Sequence, residues 1–126
     1  MTNSARLRIK RIYDPTEPSD GYRVLVDRLW PRGISKEQAG LGLWLKEIAP
    51  SAELRTWWNH DPALLDEFTS RYRAELDANP AVGELTRVLA EHPVVTLLYG
   101  AKDPRLNQAA VLRDYLAEPP DQAVTR

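Results

Sequence analysis

Leu7 and Ile9 alternate with Arg6, Arg8 and Lys10 near the start of the chain, so Leu7–Tyr13 reads as a half-buried strand of period two. Its basic face is read as the solvated side of an edge strand protected by charge. Phosphate contact is the alternative. Asp14 to Gly21, with two prolines, Ser, Asp and Gly, reads as a loop too polar to pack. The VLV run makes Val24–Leu29 a second, fully buried strand. Gly33 to Gly42 is loop or irregular helix. Leu43–Ala49 fits either element, and its neighbours Gly42 and Pro50 favour a short strand. Ser51 then caps a helix carrying Glu53 in its first turn.

The second half is punctuated by Asp61-Pro62, Asn79-Pro80 and Asp103-Pro104. Each places a capping side chain before a proline at the first helical position, where the missing N–H costs nothing. Leu65, Phe68, Tyr72 and Leu76 recur at three and four, giving a buried helical stripe, with Glu67 and Arg71 paired on another face. Val82, Leu85 and Leu89 repeat the pattern until His92-Pro93 stops it. Leu106, Ala109, Leu112 and Leu116 give the last helix its stripe. Val94–Tyr99 is the clearest strand, apolar on both faces, and Gly100–Lys102 turns it into the next helix. Glu118 to Arg126, like residues 1–5, is expected to fray.

Strands buried on both faces and separated by helices imply a parallel or mostly parallel sheet covered on both sides. The expected fold is a three-layer α/β single domain over residues 1–126, with about four strands flanked by helices. No internal repeat or linker interrupts it.

Composition narrows the chemistry. A chain of 126 residues, 43% hydrophobic and 28% charged, fits one globular domain. With no cysteine, disulfides, Fe–S clusters, thiolate zinc and cysteine nucleophiles are excluded. His60 and His92 stand too far apart in sequence to suggest a histidine metal site, and no metal or cofactor is expected, with an all-carboxylate magnesium site as the open alternative. A net charge of −1 supplies no global field toward nucleic acid. No apolar run approaches a membrane span, and no apolar leader follows Met1, so a cytoplasmic location is the default expectation. Motifs of dinucleotide oxidoreductases, P-loop NTPases, α/β-hydrolases and zinc peptidases are absent.

In open α/β sheets ligands bind beyond the carboxyl ends of the strands. Three such ends are legible: Asp27–Gly33, Lys46–Ser51 and Tyr99–Asn107. They offer Arg28, Trp30, Arg32, Lys46, Ser51, Tyr99, Lys102 and Asn107 as ligand-binding residues. Arg28 and Arg32 would hold an anion and Trp30 would stack on a base or sugar. Asp27 is the candidate base or hydroxyl acceptor, and His60 the only histidine placed to act as one. Against these stand plainer roles: Asp27 and Arg28 as structural bonds between loops, and His60 as a loop residue beside a cap. Adjacent helical residues cannot both face inward, so Trp57 or Trp58 is expected to be partly exposed and is a candidate homodimer contact.

RIYDP (11–15), GYRVLVDRLWPRG (21–33), WLKEIAPSAELRTWW (44–58), HDP (60–62), RYRAEL (71–76) and VTLLYGAKDPRLNQAAVLRDYL (95–116) resemble the YeaO-like proteins, a branch of a larger group of domains of unknown function. The resemblance spans nearly the whole chain and implies an α/β fold, with no activity attached. The larger group carries cysteines after the last strand, in a pattern like LLC followed by CHR. The matching places here are Tyr99 and Asn107–Gln108, so no thiol chemistry can operate.

The expected function is binding of a small anionic or nucleotide-like metabolite at the strand ends, with or without catalysis. The alternative is a non-catalytic protein- or nucleic-acid-binding module using Arg6, Arg8, Lys10 and Arg11.

Overall fold

A computed structural model describes residues 6–103 and 105–117. The two ends expected to fray, and the proline expected to open the last helix, lie outside those residues. Four strands, β1 (Arg6–Arg11), β2 (Tyr22–Leu25), β3 (Leu43–Trp44) and β4 (Val94–Tyr99), form one sheet in the order β1-β4-β2-β3. Every pairing is parallel, with Leu7 opposite Val95 and Val24 opposite both Leu97 and Leu43. The two inner strands are those that carry the VLV and VVTLLY stretches, and the alternating, basic β1 lies at an edge.

Side-chain alternation divides the core in two. Val24, Val26, Val95, Leu97 and Tyr99 face the larger cluster, packed by α2 (Ala52–Trp58), α3 (Leu65–Asp77), α4 (Ala81–Glu91) and α5 (Gln108–Ala117). Leu25 and Leu98 face the smaller cluster, which gathers Ile12, Ala39 of α1 (Lys36–Ala39), Trp30 and Trp44. The α/β architecture agrees with the sequence reading, but the layers are unequal: four helices cover one face, while α1 and the 12–21 segment cover the other. Trp58 and Phe68 stack with ring centroids 3.8 Å apart at the centre of the helical layer. Buried Tyr72 donates from its hydroxyl to Ile48 O at 2.6 Å.

The segment 14–21, expected to be too polar to pack, does bury one residue. Asp20 is wholly enclosed and takes Lys10 Nζ at 3.0 Å, Arg23 Nη1 at 2.5 Å and the Glu17 N–H at 3.0 Å. Its carbonyl accepts from Thr96 Oγ1 at 2.7 Å. Burial opposes the Asp20 charge, but the Glu17 N–H, Lys10 and Arg23 outweigh it and hold the carboxyl below its ordinary value. The β1–β2 crossover has no α-helix, so this ion cluster covers the sheet in place of apolar side chains.

Three boundaries differ from expectation. β2 ends at Leu25 rather than running to Leu29, which is 70% exposed. At its end the ladder closes with Val26 N on Leu98 O toward β4 and Leu45 N on Leu25 O toward β3. The 43–49 segment is strand only for Leu43–Trp44, then winds into a 3-10 turn at Lys46–Ile48 that carries Ile48 into the larger core. α5 starts at Gln108, capped by Asn107 Oδ1 on Ala110 N, rather than directly after Asp103. Asp103 instead accepts the N–H groups of Arg105 and Leu106, closing a local turn. Asp61 and Asn79 cap as expected, on Ala63 N and Ala81 N, with Asp61 opening a 3-10 turn ahead of α3.

Candidate functional site

Beyond the carboxyl end of β2 the chain places Asp27 with its two carboxylate oxygens divided between two other segments. Oδ2 accepts the Gly100 N–H at 2.8 Å, and Oδ1 accepts from Gln108 Nε2 at the head of α5. Burial is the largest influence on this carboxyl and raises its pKa. Gly100, Gln108, and the charges of Arg55 and His60 act in the opposite direction without cancelling it. A carboxyl with a raised pKa beside the Arg55 guanidinium is the chemistry expected of a base or proton store.

Arg55, His60 and Gln108 also line a cleft of about 540 Å³, together with Pro50, Thr56, Trp58 and Asn59. Ser51 caps α2 through Leu54 N, and one turn later Arg55 reaches the opening. Arg55 Nε donates to Pro50 O at 3.2 Å, which leaves its terminal nitrogens without a partner among the described residues. α2 ends in two consecutive left-handed residues, Asn59 (φ 47°) and His60 (φ 55°). Asn and His are the kinds of non-glycine residue that enter that region more readily than most. The double turn swings the His60 ring across the cleft, where Nδ1 donates to Leu106 O at 2.9 Å. A carbonyl only accepts, so Nδ1 carries the hydrogen and Nε2 of the neutral ring is an acceptor.

The expected site residues separate into distinct groups. Asp27 and His60 come to the same cleft, His60 on its wall and Asp27 behind Gln108. Ser51 is consumed structurally: besides the cap, its N–H and hydroxyl donate to Glu75 at 2.9 and 2.6 Å. Asn107 is wholly buried as the α5 cap and donates to Asp103 O at 2.9 Å. Tyr99 is buried at the end of β4, and burial raises its hydroxyl pKa. Arg28 is half-buried, while Arg32 and Lys102 are exposed, with Arg32 O accepting the Tyr13 hydroxyl at 2.9 Å. Trp30 and Lys46 lie on the opposite side of the sheet from the cleft, with Lys46 Nζ 5.2 Å from the Trp44 ring centre. Trp58 is the buried member of the tryptophan pair. Trp57 is half-buried under the Arg71 guanidinium, 4.3 Å from its ring centre.

The sequence by itself does not mark Arg55, Thr56, Asn59 or Gln108 as ligand-binding residues. Asn59 carried a usable signal, an Asn directly after a helix, where left-handed caps fall. Gln108 carried one only through the family resemblance, which sets Asn107–Gln108 where the larger group has a cysteine motif, and Arg55 carried none, since helical spacing does not reveal that two helix ends meet. Among the described residues, no group of three or more His, Cys, Asp or Glu side chains is placed to hold a metal ion, and no helix is long and apolar enough to cross a membrane.

A family model described as the inactive DUF488-N3 subclade matches residues 6–124. The chain belongs to that family. It is 46% identical over 110 residues to YeaO of Escherichia coli K12, covering 87% of this chain and 96% of YeaO. It is 45% identical over 116 residues to Rv3073c of Mycobacterium tuberculosis H37Rv, covering 92% of this chain and 98% of that protein. Both relatives are described as uncharacterised. No solved structure matches the chain.

Proposed function

We propose that this protein binds a small anionic ligand, a phosphate, phosphate monoester or carboxylate, in the Arg55–His60–Gln108 cleft, and does so without thiol-dependent turnover. The observation that carries the reading is the convergence of Arg55 and His60 on one opening backed by the Asp27 carboxyl. The Arg55 terminal nitrogens are the anion-binding group and Gln108 Nε2 links the cleft to Asp27. His60 Nε2 takes a hydrogen bond from the ligand when neutral and donates one when protonated. The family's description as inactive, together with the absence of cysteine, supports binding in preference to catalysis.

The nucleic-acid reading has less behind it. Lys10 is engaged by Glu17 and Asp20, Arg8 Nη1 by Ser19 O at 3.0 Å, and Arg11 Nε by Ala101 O at 2.9 Å. Three of the four cations proposed for that role thus hold the protein's own loops.

Thermal-shift and calorimetric titration with inorganic phosphate, citrate and a nucleoside monophosphate test the reading. At least one should raise the melting temperature with concentration. Arg55→Gln should weaken that ligand about tenfold or more, the size of a lost charge-assisted hydrogen bond, while circular dichroism stays native. An unchanged affinity in Arg55→Gln, or no response to any of the three, would sink it.

A further inference from the structure

The indole of Trp30 is the most conspicuous side chain that the cleft above does not use. It lies on the other face of the sheet, where Trp30, Lys36, Leu41, Gly42, Leu43 and Trp44 line a second, shallower depression of about 310 Å³. No residue is shared between the two. The Trp30 and Trp44 rings meet edge to face, centroids 5.3 Å apart with planes inclined at 71°. Both indole hydrogens are already committed: Trp30 Nε1 donates to Ile34 O at 2.7 Å and Trp44 Nε1 to Asp27 O at 2.8 Å. The rings are therefore anchored, and their polar edges are occupied.

We propose that this depression is a second binding site, selective for a small planar ring that carries a single anionic group. Three features define that ligand. Fixed indole walls with no free donor offer π faces and apolar contact, which favours an aromatic or other flat ring. The volume admits one or two fused rings and excludes a helix or a second strand. Lys36 stands on the rim with no ion-pair partner among the described residues, and Lys46 lies over the Trp44 ring. Both cations favour a negatively charged substituent pointing outward, where it keeps part of its hydration. The first cleft makes the opposite selection, since polar side chains supply five of its seven lining residues.

Indole-3-carboxylate, with indole-3-carboxamide as its uncharged control, is the test pair, followed by NMR of ¹⁵N-labelled protein. The four tryptophans give four indole N–H signals, two from this site and two from Trp57 and Trp58. The carboxylate should shift the Trp30 and Trp44 signals saturably and leave those of Trp57 and Trp58 in place. The carboxamide should bind about tenfold more weakly. Lys36→Gln, at an exposed position that leaves the fold intact, should erase that preference, and phosphate should not compete. The proposal is overturned if neither Trp30 nor Trp44 shifts up to the solubility limit. It is equally overturned if Trp58 responds instead, or if acid and amide bind alike to the native protein. Phosphate titration through Arg55 reads the other cleft, so failure of either site leaves the other standing.

Discussion

Asp27 Oδ2 accepts the backbone N–H of Gly100 at 2.8 Å, a bond that ties the end of β2 to the end of β4 across 73 residues of chain. A Cβ added at Gly100 would stand 3.1 Å from that oxygen. The carboxyl thus sits where two parallel strands stop together, close enough to the sheet to lose solvent and still be bonded.

Burial raises the Asp27 pKa, and this fixes the sign of its contribution to stability. A carboxyl whose folded pKa lies above its unfolded value makes the folded state progressively less stable as pH rises from the unfolded value through the folded one. Asp27→Asn removes that penalty and keeps both bonds, since Asn accepts from Gly100 and the Gln108 amide can turn to accept in its place. The variant should be more stable than the native protein at neutral pH, by on the order of 1 kcal/mol. The gain should fade below the ordinary carboxylate range. Melting curves across pH check this, and a less stable variant at neutral pH would show that the charge itself anchors the loop.

Asp20 predicts the reverse. Its folded pKa lies below the ordinary value, so its contribution is complete above the unfolded pKa and is lost as pH falls through the folded one. Removing one partner of a buried ion cluster leaves the others uncompensated. Asp20→Ala should therefore cost about 3–5 kcal/mol, and the deficit should shrink as the pH of the melt drops through the acid range. A cost that stays constant with pH would assign the loss to packing.

Two glycines make opposite forecasts under the same substitution. At Gly42 a Cβ would lie 2.3 Å from the Tyr22 ring, which is itself stacked on His92 at 3.9 Å and donates from its hydroxyl to Gly42 O. Gly42→Ala should cost about 1–3 kcal/mol through overpacking. Gly83 lies within α4 with open space around its Cβ, so Gly83→Ala should stabilise by about 0.4–1 kcal/mol. Paired denaturation curves decide both, and equal effects would contradict the close packing of Gly42 on Tyr22.

Ser51 separates structure from ligand binding. Its hydroxyl caps Leu54 N and donates to Glu75 Oε2, so Ser51→Ala should lower stability by about 1–2 kcal/mol and leave phosphate affinity in the Arg55 cleft unchanged. Reduced affinity at unchanged stability would restore Ser51 to the ligand-binding group.

The elements were written in local pattern. Val94–Tyr99 matches its strand to the residue, the Ser51, Asp61 and Asn79 caps stand where they were read, and the α3 stripe of Phe68, Tyr72 and Leu76 is buried. These depend on side-chain periodicity and on bonds spanning two or three residues, which neighbours in sequence suffice to specify. Asp27 and His60 could be singled out because charge at a strand end and a histidine beside a cap are conspicuous. Their partners could not. Arg55, Gln108 and Gly100 meet Asp27 only because β4 inserts between β1 and β2 and the ends of α2 and α5 converge there. The separation of Trp30 from Asp27 was equally hidden. The chain turns after Val26, so the carboxyl reaches α5 on the helical face while the indole, three residues on, packs against Trp44 on the other. Local sequence determined the pieces and their buried faces. Strand order and helix docking, set by burial of side chains far apart in the chain, decided which residues share a cleft.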